Sequence, residues 1–172
     1  PLDDGPGDAV VTPTRGTAKG DVQWVAGQLG GAVELNGKGY IEIGDVGDFE
    51  RTDPFSYGAW IYPTSAGMNA IVAKMDDVNE SRGWDLWLRD GRVYVHMIHQ
   101  WQNEGGDSIR VNTHRALPLD KWHHVMATYD GSSKAAGVTI YVNGIAESLD
   151  LTHDHLTGSI QTNKPLCIGR RT

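Results

Sequence analysis

The amino-acid sequence predicts an all-β domain, a sandwich or a barrel, and three observations point there. Apolar residues alternate at period two, as in Val125/Ala127/Tyr129 and Val138/Ile140/Val142, the pattern of strands with one buried face. Turn dipeptides that tolerate positive φ recur between such runs: Asp4-Gly5, Asn36-Gly37, Asp90-Gly91, Asp130-Gly131 and Asn143-Gly144. No segment sustains an i, i+3, i+4, i+7 apolar stripe of helical length.

The elements follow in order. The first twenty residues, with Pro6 and Pro13, read as a loose lead-in with at most one edge strand. Strand-like runs come at about 22–26, 32–36 and 39–44, the last two parted by Asn36-Gly37, and then at 55–62 and 69–75. Runs 83–89 and 92–100 flank Asp90-Gly91, 108–112 follows, and 122–129 and 137–143 flank Asp130-Gly131. Leu166-Cys167-Ile168 anchors a last run at 166–169. No repeat or low-complexity linker interrupts the series, so residues 1–172 are expected to form one domain.

Composition narrows the function classes. With 172 residues, 39% hydrophobic content and six tryptophans, the chain can bury a core. The formal net charge of −7 argues against a nucleic-acid binder, which needs a basic footprint, and against an electrostatically held membrane surface. The one cysteine, Cys167, has no partner for an internal disulfide and reads as a small buried hydrophobe. No apolar run reaches the about 18 residues of a membrane span, and no signal peptide is visible. The chain begins Pro1-Leu2-Asp3, as expected of a mature product, a fragment or an excised domain.

The Asp90-Gly91 hairpin allows a register calculation. If those two residues form the turn, Arg89 faces Arg92, Leu88 faces Val93 and Trp87 faces Tyr94. Leu86 then faces Val95, Asp85 faces His96, and Trp84 faces Met97. One face (Trp84, Leu86, Leu88, Val93, Val95, Met97) is wholly apolar. The other combines Asp85, Trp87, Tyr94 and His96, with Ile98 and Gln100 beyond, and a one-residue slip would put charge into the core. Flat rings beside hydrogen-bonding groups suit a sugar, although the same face also fits an ordinary second layer.

Other candidate chemistry is sparser. Glu42-Ile43-Gly44-Asp45 and Asp48-Phe49-Glu50 lack the spacing that sets two carboxylates across a glycosidic bond. His96 and His99, like His123 and His124, are expected on opposite strand faces, and none has zinc-ligand spacing. The 76–82 loop, Asp-Asp-Val-Asn-Glu-Ser-Arg, concentrates oxygens. Calcium is the one cofactor to which the chain offers ligands, at Asp76, Asp77 and Asn79, without EF-hand spacing.

Several blocks carry a family resemblance. They are Val33-Glu34-Leu35-Asn36-Gly37 with Tyr40-Ile41-Glu42-Ile43, then Phe55-Ser56-Tyr57-Gly58-Ala59-Trp60-Ile61-Tyr62-Pro63, then Gly83-Trp84-Asp85-Leu86. Trp122–Gly131 with Ile140–Gly144 and Leu166-Cys167-Ile168-Gly169-Arg170 complete them. In this order they resemble the bacterial branch of the laminin G-like domains, in the concanavalin A-like lectin/glucanase superfamily. The resemblance implies a jelly-roll sandwich of two antiparallel sheets in a larger exported bacterial protein, binding glycans or proteins, sometimes through calcium. Family members also carry a final strand that returns beside the first, so the sequence is expected to be a fragment or to have its open edge completed by another polypeptide.

The expectation is therefore a non-catalytic, extracytoplasmic carbohydrate-binding module. Trp87 and Tyr94 would be platforms, Asp85, His96 and Gln100 hydrogen-bonding groups, and Trp101 and the loop through Arg82 the rim. A protein-assembly module is the alternative, and a glycanase a more remote one. The partner is a glycan or another protein domain, with no nucleic acid and no membrane insertion.

Overall fold

A computed structural model describes residues 16–102 and 105–172. Asp4-Gly5, Pro6 and Pro13 lie outside the described residues. Twelve strands are present among those described: β1 (Thr17–Ala26), β2 (Gly31–Gly44), β3 (Phe55–Ile61), β4 (Asn69–Asp76), β5 (Arg82–Arg89), β6 (Arg92–Gln102), β7 (Gly105–Thr113), β8 (His123–Tyr129), β9 (Val138–Val142), β10 (Ile145–Ala146), β11 (Leu149–His155) and β12 (Leu166–Ile168). They form an eight-stranded sheet, β1-β2-β12-β4-β5-β6-β7-β11, and a four-stranded sheet, β10-β9-β8-β3. Every pairing is antiparallel. The result is a jelly-roll β-sandwich.

The inward rows meet as alternation requires. Trp84, Leu86 and Leu88 of β5 and Val93, Val95 and Met97 of β6 pack against Val125, Ala127 and Tyr129 of β8 and Val138, Ile140 and Val142 of β9. Phe55 stacks on Phe49 with ring centroids 4.3 Å apart, and Tyr57 tilts against Trp84 at 4.7 Å. Two polar handles in this cluster are satisfied: Trp84 Nε1 donates to Gly47 O (2.9 Å), and the Tyr57 hydroxyl donates to Asp85 O (3.0 Å). Burial, with the nearby Asp85 charge, holds the Tyr57 phenol well above its usual pKa.

The Asp90-Gly91 hairpin has the expected register, from Arg89 opposite Arg92 to Trp84 opposite Met97. Asp90 and Gly91 have φ of 52° and 71°, as a two-residue primed turn demands. Asn143-Gly144 makes a similar turn between β9 and β10 (φ 52° and 80°). Two other dipeptides behave differently. Asp130-Gly131 opens a longer connection containing a 3-10 turn at Ala135–Gly137. Asn36-Gly37 does not end a strand; it lies inside β2, where Asn36 Nδ2 donates to Asp21 Oδ2 (2.5 Å) beside the Gly20/Val22 register shift. The dipeptide makes a bulge instead of a hairpin, because β1 supplies a partner on both sides of it.

Strands β10 and β11 have no counterpart among the expected runs. β11 lies at a sheet edge with most side chains exposed, so its sequence, Leu-Asp-Leu-Thr-His-Asp-His, shows no buried alternation. Lys74 is buried, its ammonium held by Asp45 Oδ1 (2.8 Å) and Lys164 O (3.0 Å).

Candidate functional site

Sheet register builds the outer face of β4–β7 in cross-strand rows. One row runs Ala73, Asp85, His96, Arg110 and His153 across β4, β5, β6, β7 and β11. The next runs Ala70, Trp87, Tyr94, Asn112 and Asp150. Beyond β12 the chain turns at Gly169 (φ 84°) and doubles back: Thr172 N donates to Met75 O (3.2 Å) and Asp77 N to Thr172 O (2.6 Å). That reversal lays Arg171 across the face.

Asp85 is the centre of this face and is fully buried. His96 Nδ1 lies 2.8 Å from Asp85 Oδ1, and Arg171 Nε donates to Oδ2 at 2.6 Å, with Nη2 closing a second contact to Oδ2. Arg171 Nη2 also stands 3.0 Å from His96 Nδ1. One ring nitrogen cannot both donate to Asp85 and accept from Arg171. Donation to Asp85 leaves both carboxylate oxygens partnered, which a buried charge requires. Burial alone would raise the Asp85 pKa; His96 and Arg171, by charge and hydrogen bond, together hold it below the usual carboxylate range.

Aromatic rings flank the centre. The Arg171 guanidinium sits 4.1 Å over the Trp87 ring, and that of Arg110 3.6 Å over Trp101. Tyr94 stacks near His96 (5.8 Å), and Trp101 meets His96 edge-on at 6.1 Å. Arg110 Nε donates to Ser108 Oγ (2.9 Å) and Nη2 to Gln102 O (3.2 Å), and burial lowers its pKa.

Trp87, Tyr94, His96, Trp101 and Asp85 are thus brought together, but not all as expected. Asp85 lies beneath the surface, engaged by its own chain. Gln100 is displaced: a bulge between Ile98 and Gln100 resets the alternation, so Trp101, not Gln100, packs toward Ile98, Ala73 and Met75. Arg82 turns its Nε to His99 O (3.2 Å). Asp76 Oδ1 accepts the Asn79 N–H (3.1 Å) and faces Lys164 (3.7 Å), while Asp77 Oδ1 accepts from Ser81 Oγ (3.2 Å) and faces Arg171 (3.7 Å). The loop expected to offer calcium ligands is a turn in which the Asp76 and Asp77 carboxylates already have partners. Among the described residues, no three His, Cys, Asp or Glu side chains gather as a metal site.

Arg110, Asn112 and Arg171 went unread in the sequence. For the first two a signal existed, since Ser108, Arg110 and Asn112 alternate with Ile109 and Val111. Arg171 gave none, because a chain reversal places it. In the Glu42–Glu50 segment, Asp45 is on Lys74, and Glu50 accepts N–H groups of Arg51 and Ile160. Two open cavities lie elsewhere, about 360 Å3 beside His123 and Leu117 and about 320 Å3 over His124, Met126 and Tyr141.

The architecture is similar to solved structures at low identity. The binding domain of Paraclostridial mosquitocidal protein 1 is 18% identical with a TM-score of 0.65, covering 90% of this chain and 39% of that one. The botulinum neurotoxin serotype C1 binding domain is 16% identical with a TM-score of 0.65, covering 90% and 38%. Domain 4 of a GH43 extracellular arabinanase from Geobacillus stearothermophilus is 17% identical with a TM-score of 0.52, covering 89% and 72%. The chain spans less than half the length of the two toxin domains. No curated protein sequence matches it. Residues 35–172 match the Laminin_G_3 family profile, and the chain belongs to that family of the concanavalin A-like lectin/glucanases superfamily.

Proposed function

We propose that the chain is a non-catalytic carbohydrate-binding module of a larger exported protein, with its ligand on the outer face of β5 and β6. The observation that carries this reading is the convergence of Trp87, Tyr94, His96 and Trp101 around one buried Asp85–Arg171 pair. The pair fixes the imidazole, and the half-buried rings of Trp87, Tyr94 and Trp101 keep, beside the guanidiniums on Trp87 and Trp101, apolar surface for a pyranose or furanose. The arabinanase relative was solved with arabinotriose, which supports a glycan. The arabinanase is an extracellular enzyme, which supports an extracytoplasmic location, and no helix among the described residues is long and apolar enough to cross a membrane.

The test is a glycan array with the parent chain and Trp87→Ala. Glycan retention is expected to be lost in the variant while its thermal melt stays cooperative; unchanged retention would sink the placement. A protein partner is the second reading. It is favoured by the β1–β2 ribbon, whose paired residues Val22/Leu35 and Trp24/Val33 share one face with Trp24 exposed. Co-purification of a partner with no glycan bound would select it.

A further inference from the structure

Two histidines are nearly inaccessible, His123 at 6% exposed and His96 at 7%. Their ring nitrogens are used differently. His123 has both engaged: Nε2 donates to Pro118 O (2.9 Å), and Nδ1 accepts from Asn143 Nδ2 (3.5 Å). His96 has one engaged. Its Nδ1 donates to Asp85 Oδ1 (2.8 Å), while Nε2 has no partner among the described residues. No buried side-chain nitrogen or oxygen of those residues lacks a partner, so Nε2 reaches the surface although the ring around it is nearly covered. Buried polar side chains are ordinarily satisfied within the protein, and this one keeps a nitrogen aimed outward.

The neighbours fix its direction and its role. Tyr94 stacks on one side, its ring 29° from the imidazole plane, and Trp101 stands edge-on at 82°. Because Nδ1 carries its proton toward Asp85, the neutral imidazole presents a lone pair at Nε2, an acceptor open to a ligand. Neither nearby guanidinium donates to it. That of Arg171 is on Asp85 and over Trp87, and that of Arg110 is over Trp101 and bonded to Ser108 and Gln102.

We propose that His96 Nε2 selects the ligand by accepting a hydrogen bond from a free ring hydroxyl, so that the glycan bound here is neutral and unsubstituted at that hydroxyl. This rests on the carbohydrate reading of the face and names its substrate class. A hydroxyl donates, whereas a carboxylate, a sulfate or a methyl ether brings only lone pairs. Lone pair against lone pair leaves Nε2 without the bond it makes to water, and a site built around a hydroxyl discriminates against analogues lacking it. The net charge of −7 acts in the same direction, against polyanionic glycans. Asp85 holds the ring without touching the ligand, so His96 determines specificity and Asp85 positions it.

The test is NMR of the imidazole nitrogens in the 172-residue chain at pH 8, where a free imidazole is neutral. Three probes are added separately: a pool of methyl glycosides of glucose, galactose, mannose, xylose and arabinose; the same pool fully O-methylated; and the methyl glycosides of glucuronic and galacturonic acid. His96 Nε2 should resonate as an unprotonated ring nitrogen without probe and move upfield with the first pool alone. His96→Asn keeps an amide donor for Asp85 and removes the acceptor. It should weaken first-pool binding, read at the Trp87 and Trp101 indole N–H signals, by about tenfold; if it does not fold, the O-methylated pool carries the comparison. The proposal is overturned if Nε2 carries a proton at pH 8, if either of the other probes binds as well as the first pool, or if His96→Asn binds like the parent. It is also overturned if the indole signals respond to the first pool and Nε2 does not, an outcome that leaves the carbohydrate reading standing. Silence of all these signals overturns both.

Discussion

Replacing Arg171 with Met removes the guanidinium while keeping most of the volume, and the structure sets the cost. Arg171 is 14% exposed and Asp85 0%, so the pair is little screened by water. Without Arg171, Asp85 keeps only His96 at 2.8 Å and loses both contacts to Oδ2. Breaking one side of a buried pair costs about 3 kcal/mol or more, and in a domain of this size that lowers the melting temperature by about 6–12 °C.

The pH profile supplies a sharper sign. Asp85 titrates below its unfolded value, so its contribution is present above about pH 4 and is lost as pH falls through the folded pKa. Arg171→Met removes part of what depresses the pKa while burial still pushes it up, so the acid loss should shrink. Thermal melts from pH 3 to 8 of the parent, Arg171→Met, and Arg171→Met with Asp85→Asn make the comparison. The double variant should be more stable than Arg171→Met alone, because no buried charge then lacks its counter-ion. If Arg171→Met melts with the parent at every pH, the pair is not the keystone of this face.

Two shorter expectations concern groups away from that pair. Lys74→Met should cost less stability in urea than Lys74→Ala, because the buried stem is replaced while the ammonium's partner Asp45 is largely exposed. Calcium or EDTA should leave the melting temperature unchanged, since Asp76 and Asp77 already answer to Asn79, Lys164, Ser81 and Arg171. A calcium-dependent upward shift would show that the loop rearranges to bind.

What was legible in the sequence was local. The Asp90-Gly91 register could be read because a two-residue turn fixes every pair, and only one alignment keeps Trp84, Leu86, Val95 and Met97 together. The Asn143-Gly144 turn was legible from its residue types alone, both of which take the positive φ that a tight turn needs. Three things escaped. β11 hides because an edge strand with exposed side chains has no period to display. The exchange of Gln100 for Trp101 depends on a bulge imposed by β7, whose residues are adjacent only after pairing. Arg171 reaches Asp85 across 86 positions of chain, a distance over which no spacing rule operates.

The Tyr57 hydroxyl bonded to the Asp85 carbonyl has a mechanical meaning. It is a strut through the sandwich: one end belongs to β3 of the four-stranded sheet, and the other to the backbone of β5 in the eight-stranded sheet. A sideways slip of β3 against β5 stretches that bond, which ties the floor under Trp87 and His96 to the opposite sheet. The two sheets are therefore tied through their apolar interior by a polar bond, with a tyrosine as its pin.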